Sequence, residues 1–335
     1  MPDERHKARR RRRRLTSSAE TWEFRVPFTI TGHTFTEVEL LYVTMSENGS
    51  VGRGEAAGIY YLQETGASML ADVASVKDAI EAGADRQRLR ELLPPGGARN
   101  AIDCALWDLE VKQRNTTIWE LTGIEPRRMQ SVLSIGLGTP REMAETAKSL
   151  DSPLLKVKLD AELPLERVAA VRAARPDDEI IVDVNQGWTF EQLAELAPKF
   201  ERLGVAMIEQ PLPRGGDEAL ENFRSPVPLC ADESCLGIGE FEQAARRYQL
   251  INIKLDKTGG LTEALELAGL ARERGIDLMA GNMMGTSLSM APGFVVAQLC
   301  RFVDLDGALF LKKDRDHPIS YEHGVVSAPR PELWG

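Results

Sequence analysis

From about residue 130 onward, short apolar runs of strand length recur roughly every 25 residues, with amphipathic stretches of helical length between them. The runs fall at 131–137, 154–160, 179–185, 205–210, 228–233, 250–256, 277–283 and 302–306. Strands that alternate with helices predict a parallel sheet with the helices packed outside it. Eight of them predict a closed barrel. Helix-start signals agree. Thr139-Pro140-Arg141-Glu142 combines a capping box with proline at the first helical position, Thr189 to Gln192 repeats the box, and Gly204 closes that helix. The helix after the last strand is poorly marked, which points to the N-terminal unit as the barrel's closing element.

That N-terminal unit has a different pattern. Residues 21–57 alternate as strands, with an Asn48-Gly49-Ser50 turn, and 68–92 and 98–122 read as helices. The division expected is a basic, disordered tail over 1–20, an α+β unit over 21–125, the barrel over 126–315 and a returning C-terminal segment over 316–335. The net charge of −10 is uneven: residues 1–14 carry eight Lys/Arg against two acids, leaving −16 on the remainder. An acidic body argues against nucleic-acid binding, although the Arg9–Arg14 run offers an anionic partner a foothold. No apolar run reaches the ~20 residues of a membrane helix, and no apolar core follows the early basic residues. The four cysteines are scattered and read as reduced core thiols. The expected location is the cytoplasm. Oligomeric state stays open, a homo-oligomer included.

Barrels of this kind work at the C-terminal ends of their strands. Read in order, those ends carry Lys156 and Lys158, Asp183, Glu209, Asp232, Lys254, and Asp304 with Asp306. Lys156 and Lys158 share one face of a buried strand, a costly arrangement unless something offsets it. Three carboxylates on successive strands would not all ionise without a cation among them. Oxygen-only donors suit Mg²⁺. The plainer reading pairs each acid with a lysine. With a metal, Lys158 and Lys254 approach the centre from opposite sides. Lys158 is then a general base whose pKa Lys156 lowers, unless Lys156 holds a substrate oxygen instead. A substrate carboxylate on the metal acidifies its α-proton through an enediolate. One lysine removes that proton, the other returns one to the opposite face, and the carbon is inverted.

This ordered set resembles the enolase superfamily in its muconate-lactonising-enzyme-like subgroup. Lys156-Val-Lys158 is similar to that subgroup's Lys-x-Lys, and Asp183, Glu209, Asp232 and Lys254 match its metal ligands and second acid/base. Gly52-Arg-Gly-Glu-Ala56, Ala98-Arg-Asn-Ala-Ile-Asp103 and Leu106-Trp-Asp108 extend the likeness. The resemblance implies a modified TIM barrel, (β/α)7β, under an N-terminal α+β capping domain. Asp304-Leu-Asp306 resembles the Asp-x-Asp with which dipeptide epimerases grip a substrate ammonium. Ser134 matches a substrate-contacting hydroxyl, and Asn282 is a further contact. The activity implied is Mg²⁺-dependent epimerisation of the C-terminal residue of a dipeptide, L-Ala-D/L-Glu or related.

For the second residue's side chain, Arg53 and His33 offer polar contacts, while Gly58-Ile-Tyr-Tyr-Leu62 offers an aromatic wall instead. Lys257 is the weaker candidate for a base. Asn185 and Glu233 read as hydrogen-bonding neighbours of the ligands. Gly259-Gly260 reads as a tight turn, not a phosphate loop. His6, His317 and His323 receive no role. Rival readings are o-succinylbenzoate synthase, N-acylamino acid racemase or muconate cycloisomerase on the same apparatus, and an interaction protein acting through its arginine tail.

Overall fold

The computed structural model describes residues 13–335. Its first unit is an antiparallel sheet of β1 (Arg14–Ile30), β2 (His33–Glu47) and β3 (Ser50–Ala57), backed by α1 (Gly66–Glu81), α2 (Arg86–Leu92) and α3 (Gly97–Arg114). Gly32 turns the β1–β2 hairpin at φ +73°. A Cβ on Gly52 or Gly54 would lie 2.2 Å from Ala105 O or 2.0 Å from Ala101 O, so these glycines let α3 lie directly on β3. The helices expected at 68–92 and 98–122 are each broken, at Gly83 (φ +107°) and Asn115 (φ +50°).

The expected tail is shorter than 1–20. Arg14 already pairs with Ser46, Leu15 is buried, and Arg13 reaches Glu47 at 3.2 Å and Ala84 O at 2.8 Å. β1 is an edge strand with few buried side chains, so its first half reads as polar tail. The rest of the arginine run lies outside the described residues.

A short α4 (Ile118–Thr122) and β4 (Met129–Gln130) lead into the barrel. There follow β5 (Leu133–Ile135), α5 (Pro140–Ser149), β6 (Leu154–Lys158), α6 (Pro164–Ala174), β7 (Glu179–Asp183), α7 (Phe190–Arg202) and β8 (Val205–Glu209). Then come β9 (Leu229–Ala231), α8 (Ile238–Arg247), β10 (Leu250–Ile253), α9 (Leu255–Thr258), α10 (Leu261–Arg274), β11 (Asp277–Ala280), α11 (Ser287–Ala297) and β12 (Phe302–Val303). All eight expected strands are present, parallel and in sequential order. Val132 N donates to Val303 O at 2.8 Å, which brings the first and last strands edge to edge. Two expectations need correction. The fourth crossover carries only a 3₁₀ turn at Glu218–Asn222, because Pro211, Pro213 and Gly215-Gly216 interrupt any α-helix there. The strands are also shorter than their apolar runs: Lys158, Asp183 and Glu209 are the last residues of β6, β7 and β8, and Asp232 and Lys254 lie just past β9 and β10. After β12 comes another 3₁₀ turn, Gly307–Phe310, and no α-helix.

The two units are joined by polar contacts. Arg99 of α3 donates to Thr258 O and Glu263 Oε2, both at 2.6 Å. Asp103 accepts from Thr262 N at 3.0 Å and Thr262 Oγ1 at 2.6 Å. Asp256 accepts from Asn100 and from the backbone of Ala57. Buried Glu55 accepts from Thr286, Ser289 and Arg315. The chain's last residues return to α3, where Trp334 Nε1 donates to Cys104 O at 3.0 Å. β13 (Tyr321–Glu322) and β14 (Val325–Val326) pair with β4 at the foot of the barrel. Among the described residues no helix is long and apolar enough to cross a membrane.

Candidate active site

Parallel register builds the floor of the site. Lys158 stands opposite Asp183, and Asp183 opposite Glu209, on neighbouring strands. Asp232 is the first residue beyond β9 and Lys254 the first beyond β10. In a ring of eight strands, β6 and β10 are second and sixth, so Lys158 and Lys254 rise from opposite walls. All of these side chains are buried.

Ion pairs link them. Lys156 Nζ lies 2.7 Å from Glu209, 2.7 Å from Asp304 and 3.1 Å from Asp183. Lys158 Nζ donates to Asp183 at 2.5 Å and to Asn185 Oδ1 at 3.1 Å. Lys254 Nζ donates to Asp232 Oδ2 at 2.7 Å. Lys257 donates to three carbonyls, of Asp232, Cys235 and Asn252, which suits a structural cation. Lys156, expected either to lower the pKa of Lys158 or to hold a substrate oxygen, is surrounded by three carboxylates. Burial pulls its pKa down, but Asp183, Asp304 and Glu209 outweigh that and hold it well above the ordinary lysine value. Lys254 is likewise raised against burial, chiefly by Asp232. Burial would raise Asp183, yet Lys156 and Lys158 bring it below the usual carboxylate range. Burial and Asp183 raise Glu209.

These residues fit a hard cation by their chemistry. The donors are oxygen-only and anionic on three adjacent strands. Glu209 Oε2 and Asp232 Oδ1 are buried oxygens whose partners are ammonium groups, Lys156 and Lys257, each at 2.7 Å. Among the described residues no three acidic, histidine or cysteine side chains are gathered in ligating geometry; the carboxylates turn to ammonium groups instead.

The remaining expected residues divide. Asp304 and Asp306 are buried at the end of β12, Asp306 accepts from Ser134 N at 2.8 Å, and Asn282 donates to Asp304 O at 2.6 Å. Burial and Asp304 push Asp306 well above the carboxylate range. Lys312 pairs with Glu23 and leaves this acid pair alone. A cavity of about 240 Å³ opens between cap and barrel, and Lys158, Lys254, Asp232 and Asn282 line it. Its described lining does not include Ser134, Asp304 or Asp306. Nor does it include Arg53, which reaches Glu332 O elsewhere. His33 does line it.

Asn252 and Gln210 are participants that the sequence reading did not single out. Asn252 donates to Glu209 at 2.7 Å. Gln210, buried with φ +34°, accepts from the backbone N–H groups of Asp232 and Ser234. Asn185 and Gln186 also have positive φ. Such backbone is tolerated where surrounding contacts hold it, and it clusters at functional sites. Glu233 lines the cavity, with its pKa raised to about 8 by burial and by Asp232 and Asp183. Tyr61 lines it too, its hydroxyl buried without a partner. Only the Gln-Pro step after Glu209 could have flagged Gln210, whereas Asn185 and Glu233 were expected beside the candidate ligands.

The chain matches the family model "Mandelate racemase / muconate lactonizing enzyme, N-terminal domain" over residues 12–123 and "Enolase C-terminal domain-like" over 141–332. It is 42% identical over 311 residues to an L-Ala-D/L-Glu epimerase of Escherichia coli strain K12, covering 92% of this chain and 97% of that protein. It is 46% identical over 244 residues to an N-acetyl-D-glutamate racemase of Pseudoalteromonas sp, covering 72% and 78%. A crystal structure of an Agrobacterium tumefaciens enolase family member with homology to dipeptide epimerases holds sodium and L-Ala-L-Glu with an ordered loop. It is similar with a TM-score of 0.94 at 40% identity, covering 96% of this chain and 100% of that one. A Methylococcus capsulatus dipeptide epimerase, complexed with Mg and L-Arg-D-Lys, is similar with a TM-score of 0.89 at 27% identity, covering 97% and 99%.

Proposed function

The chain belongs to the mandelate racemase/muconate lactonizing enzyme family of the enolase superfamily, and from that membership we propose the following working of its site. The protein is an isomerase, a Mg²⁺-dependent dipeptide epimerase. The observation that carries the residue assignments is the pair of ammonium groups, Lys158 and Lys254, on opposite walls of one buried carboxylate cluster. Asp183, Glu209 and Asp232 are the residues that would hold Mg²⁺. Bound there, the ion supplies the positive charge that makes a substrate carboxylate's α C–H acidic.

The chain's own residues do the rest. Neutral Lys158 takes the α-proton from one face and Lys254, as an ammonium, delivers a proton to the other; in the reverse direction they exchange roles. Lys156 steadies the substrate carboxylate. The substrate's ammonium is assigned to Asp304 and Asp306. A cation arriving there would offset the burial and the Asp304 repulsion that raise Asp306. Asn282 and Ser134 border that end and are assigned to the peptide group. Racemisation of an N-acylated amino acid is the second reading. The 46% identity to an N-acetyl-D-glutamate racemase supports it, as does a cavity whose lining omits the Asp304/Asp306 pair.

The deciding experiment follows α-proton exchange in D₂O by proton NMR, with L-Ala-L-Xaa and N-acetyl-L-Xaa substrates and with Mg²⁺ present or removed by EDTA. Dipeptide epimerisation is expected, lost on chelation and restored by Mg²⁺. Asp304→Asn should reduce dipeptide turnover at least about tenfold, as loss of a charge-assisted contact implies. Turnover of the N-acetyl substrates alone, indifferent to Asp304→Asn, would favour the second reading.

A further inference from the structure

The two lysines fix where the reacting carbon must sit, and the floor beneath it is filled by buried ion pairs. The side chain on that carbon therefore has to project upward, into the half of the cavity that the cap walls. That half has a definite character. His33, Phe35 and Tyr60 form a continuous aromatic surface, with ring centroids 4.2 Å apart for His33–Phe35, 5.4 Å for His33–Tyr60 and 5.5 Å for Phe35–Tyr60. Tyr61 extends it, 5.2 Å from Tyr60. Phe28, Ile30, Val38, Met283 and Met284 add aliphatic and aromatic surface to the lining.

Among the described residues the cap contributes no lysine or arginine to the lining, and it contributes three carboxylates, Glu37, Glu39 and Glu64. The cap arginines nearest in sequence are engaged elsewhere, Arg25 with Leu311 O at 2.8 Å and Arg53 with Glu332 O. Two of the carboxylates are also committed. Glu39 accepts from Gly66 N, and Glu64 accepts from Ile59 N and Gly97 N. An acidic substrate side chain would meet no counter-charge here and would lose water beside like charges. A cationic one would meet the same carboxylates, but Glu37 and Glu39 are exposed to water, which screens their charge. An aromatic ring finds edges and faces to pack against.

We propose that the cap's aromatic wall of His33, Phe35 and Tyr60 selects an uncharged aromatic or bulky aliphatic side chain at the inverted residue, and disfavours glutamate. This rests on the epimerase reading above. It separates the chain from the glutamate-handling proteins to which it is otherwise similar.

The test uses the full chain with Mg²⁺ and six substrates: L-Ala or N-acetyl joined to L-Phe, L-Glu or L-Lys. Comparing L-Ala with N-acetyl tests the epimerase reading, and comparing side chains tests the wall. The expected kcat/KM for Phe exceeds that for Glu and for Lys by at least about tenfold, whichever N-terminal group is accepted. Faster turnover of Glu or Lys would overturn the inference while leaving epimerisation standing. Exchange of none of the six would overturn both. Phe35→Arg adds a cation to the wall and should raise the Glu-to-Phe ratio by at least about tenfold. An unchanged ratio in a folded, active variant would also refute the wall's role. If that variant does not fold, the wild-type ratio still decides.

Discussion

Lys158 and Lys254 differ in what surrounds them, and the difference sets a measurable asymmetry. Lys158 is held by Asp183 and Asn185, Lys254 by Asp232 alone among side chains. If each serves one face, Lys158→Ala and Lys254→Ala should each cut epimerisation by about 10²–10⁴-fold, the usual scale of general acid–base catalysis. Each variant should still exchange the α-proton of one diastereomer with D₂O, and the two should retain opposite ones. Separate NMR runs from the L,L and L,D dipeptides would read this directly, and full epimerisation by either variant would rule out the two-base scheme. The acids and lysines themselves were legible in the sequence because charged residues interrupt otherwise apolar runs. Lys156 was legible as a residue but not in its surroundings. Its three carboxylate neighbours come from β7, β8 and the end of β12, and only the closed ring brings those strands to one point.

Elements were legible wherever periodicity is strong. The capping boxes at Thr139 and Thr189 start α5 and α7 as expected. The first half of β1 was not legible, because an edge strand buries too little to show alternation. The fourth crossover looked helical by analogy with its neighbours and is broken by its own prolines and glycines. Gly259-Gly260 was rightly a turn, but its second role needed the structure. Gly259 has φ +61° and Gly260 φ +122°, and a Cβ on Gly260 would lie 2.5 Å from the side chain of Asp103. The pair thus lets α3 seat on the loop between α9 and α10. Gly260→Ala should lower stability by about 1–3 kcal/mol from backbone strain, with added loss from the displaced Asp103. A drop in Tm measured by calorimetry checks this; an unchanged Tm would mean that the loop relaxes freely.

At the scale of the whole molecule, the contacts that hold the cap to the barrel include two carboxyl groups, Asp103 and Asp256, that burial makes harder to ionise. Burial raises Asp256 to about 7 from an unperturbed 3.8, despite the hydrogen bond from Asn100. The folded state therefore binds this proton more tightly than the unfolded chain. Its contribution to stability is fullest below the unfolded value, declines as pH rises from about 4 to about 7, and is lost above that. Asp256→Asn keeps an acceptor for Asn100 and Ala57 and removes the ionisation. Its Tm relative to wild type should rise between pH 5 and pH 8, and parallel Tm–pH curves would show that Asp256 does not titrate in that window.

The seating of α3 on the loop behind Lys254 has a consequence for recombining this chain with its kin. The cap's lower helix and the sixth loop share Arg99–Glu263 and Asp103–Thr262, so they form one transplantable module although about 160 residues of sequence separate them. A chimera that imports a foreign cap at the obvious seam near residue 123 would orphan those partners and disturb the backbone that carries one of its two lysines. Grafts intended to change which side chain is accepted are better confined to the β1–β2 hairpin and the Tyr60–Tyr61 turn, where the wall can be exchanged and the seat stays whole.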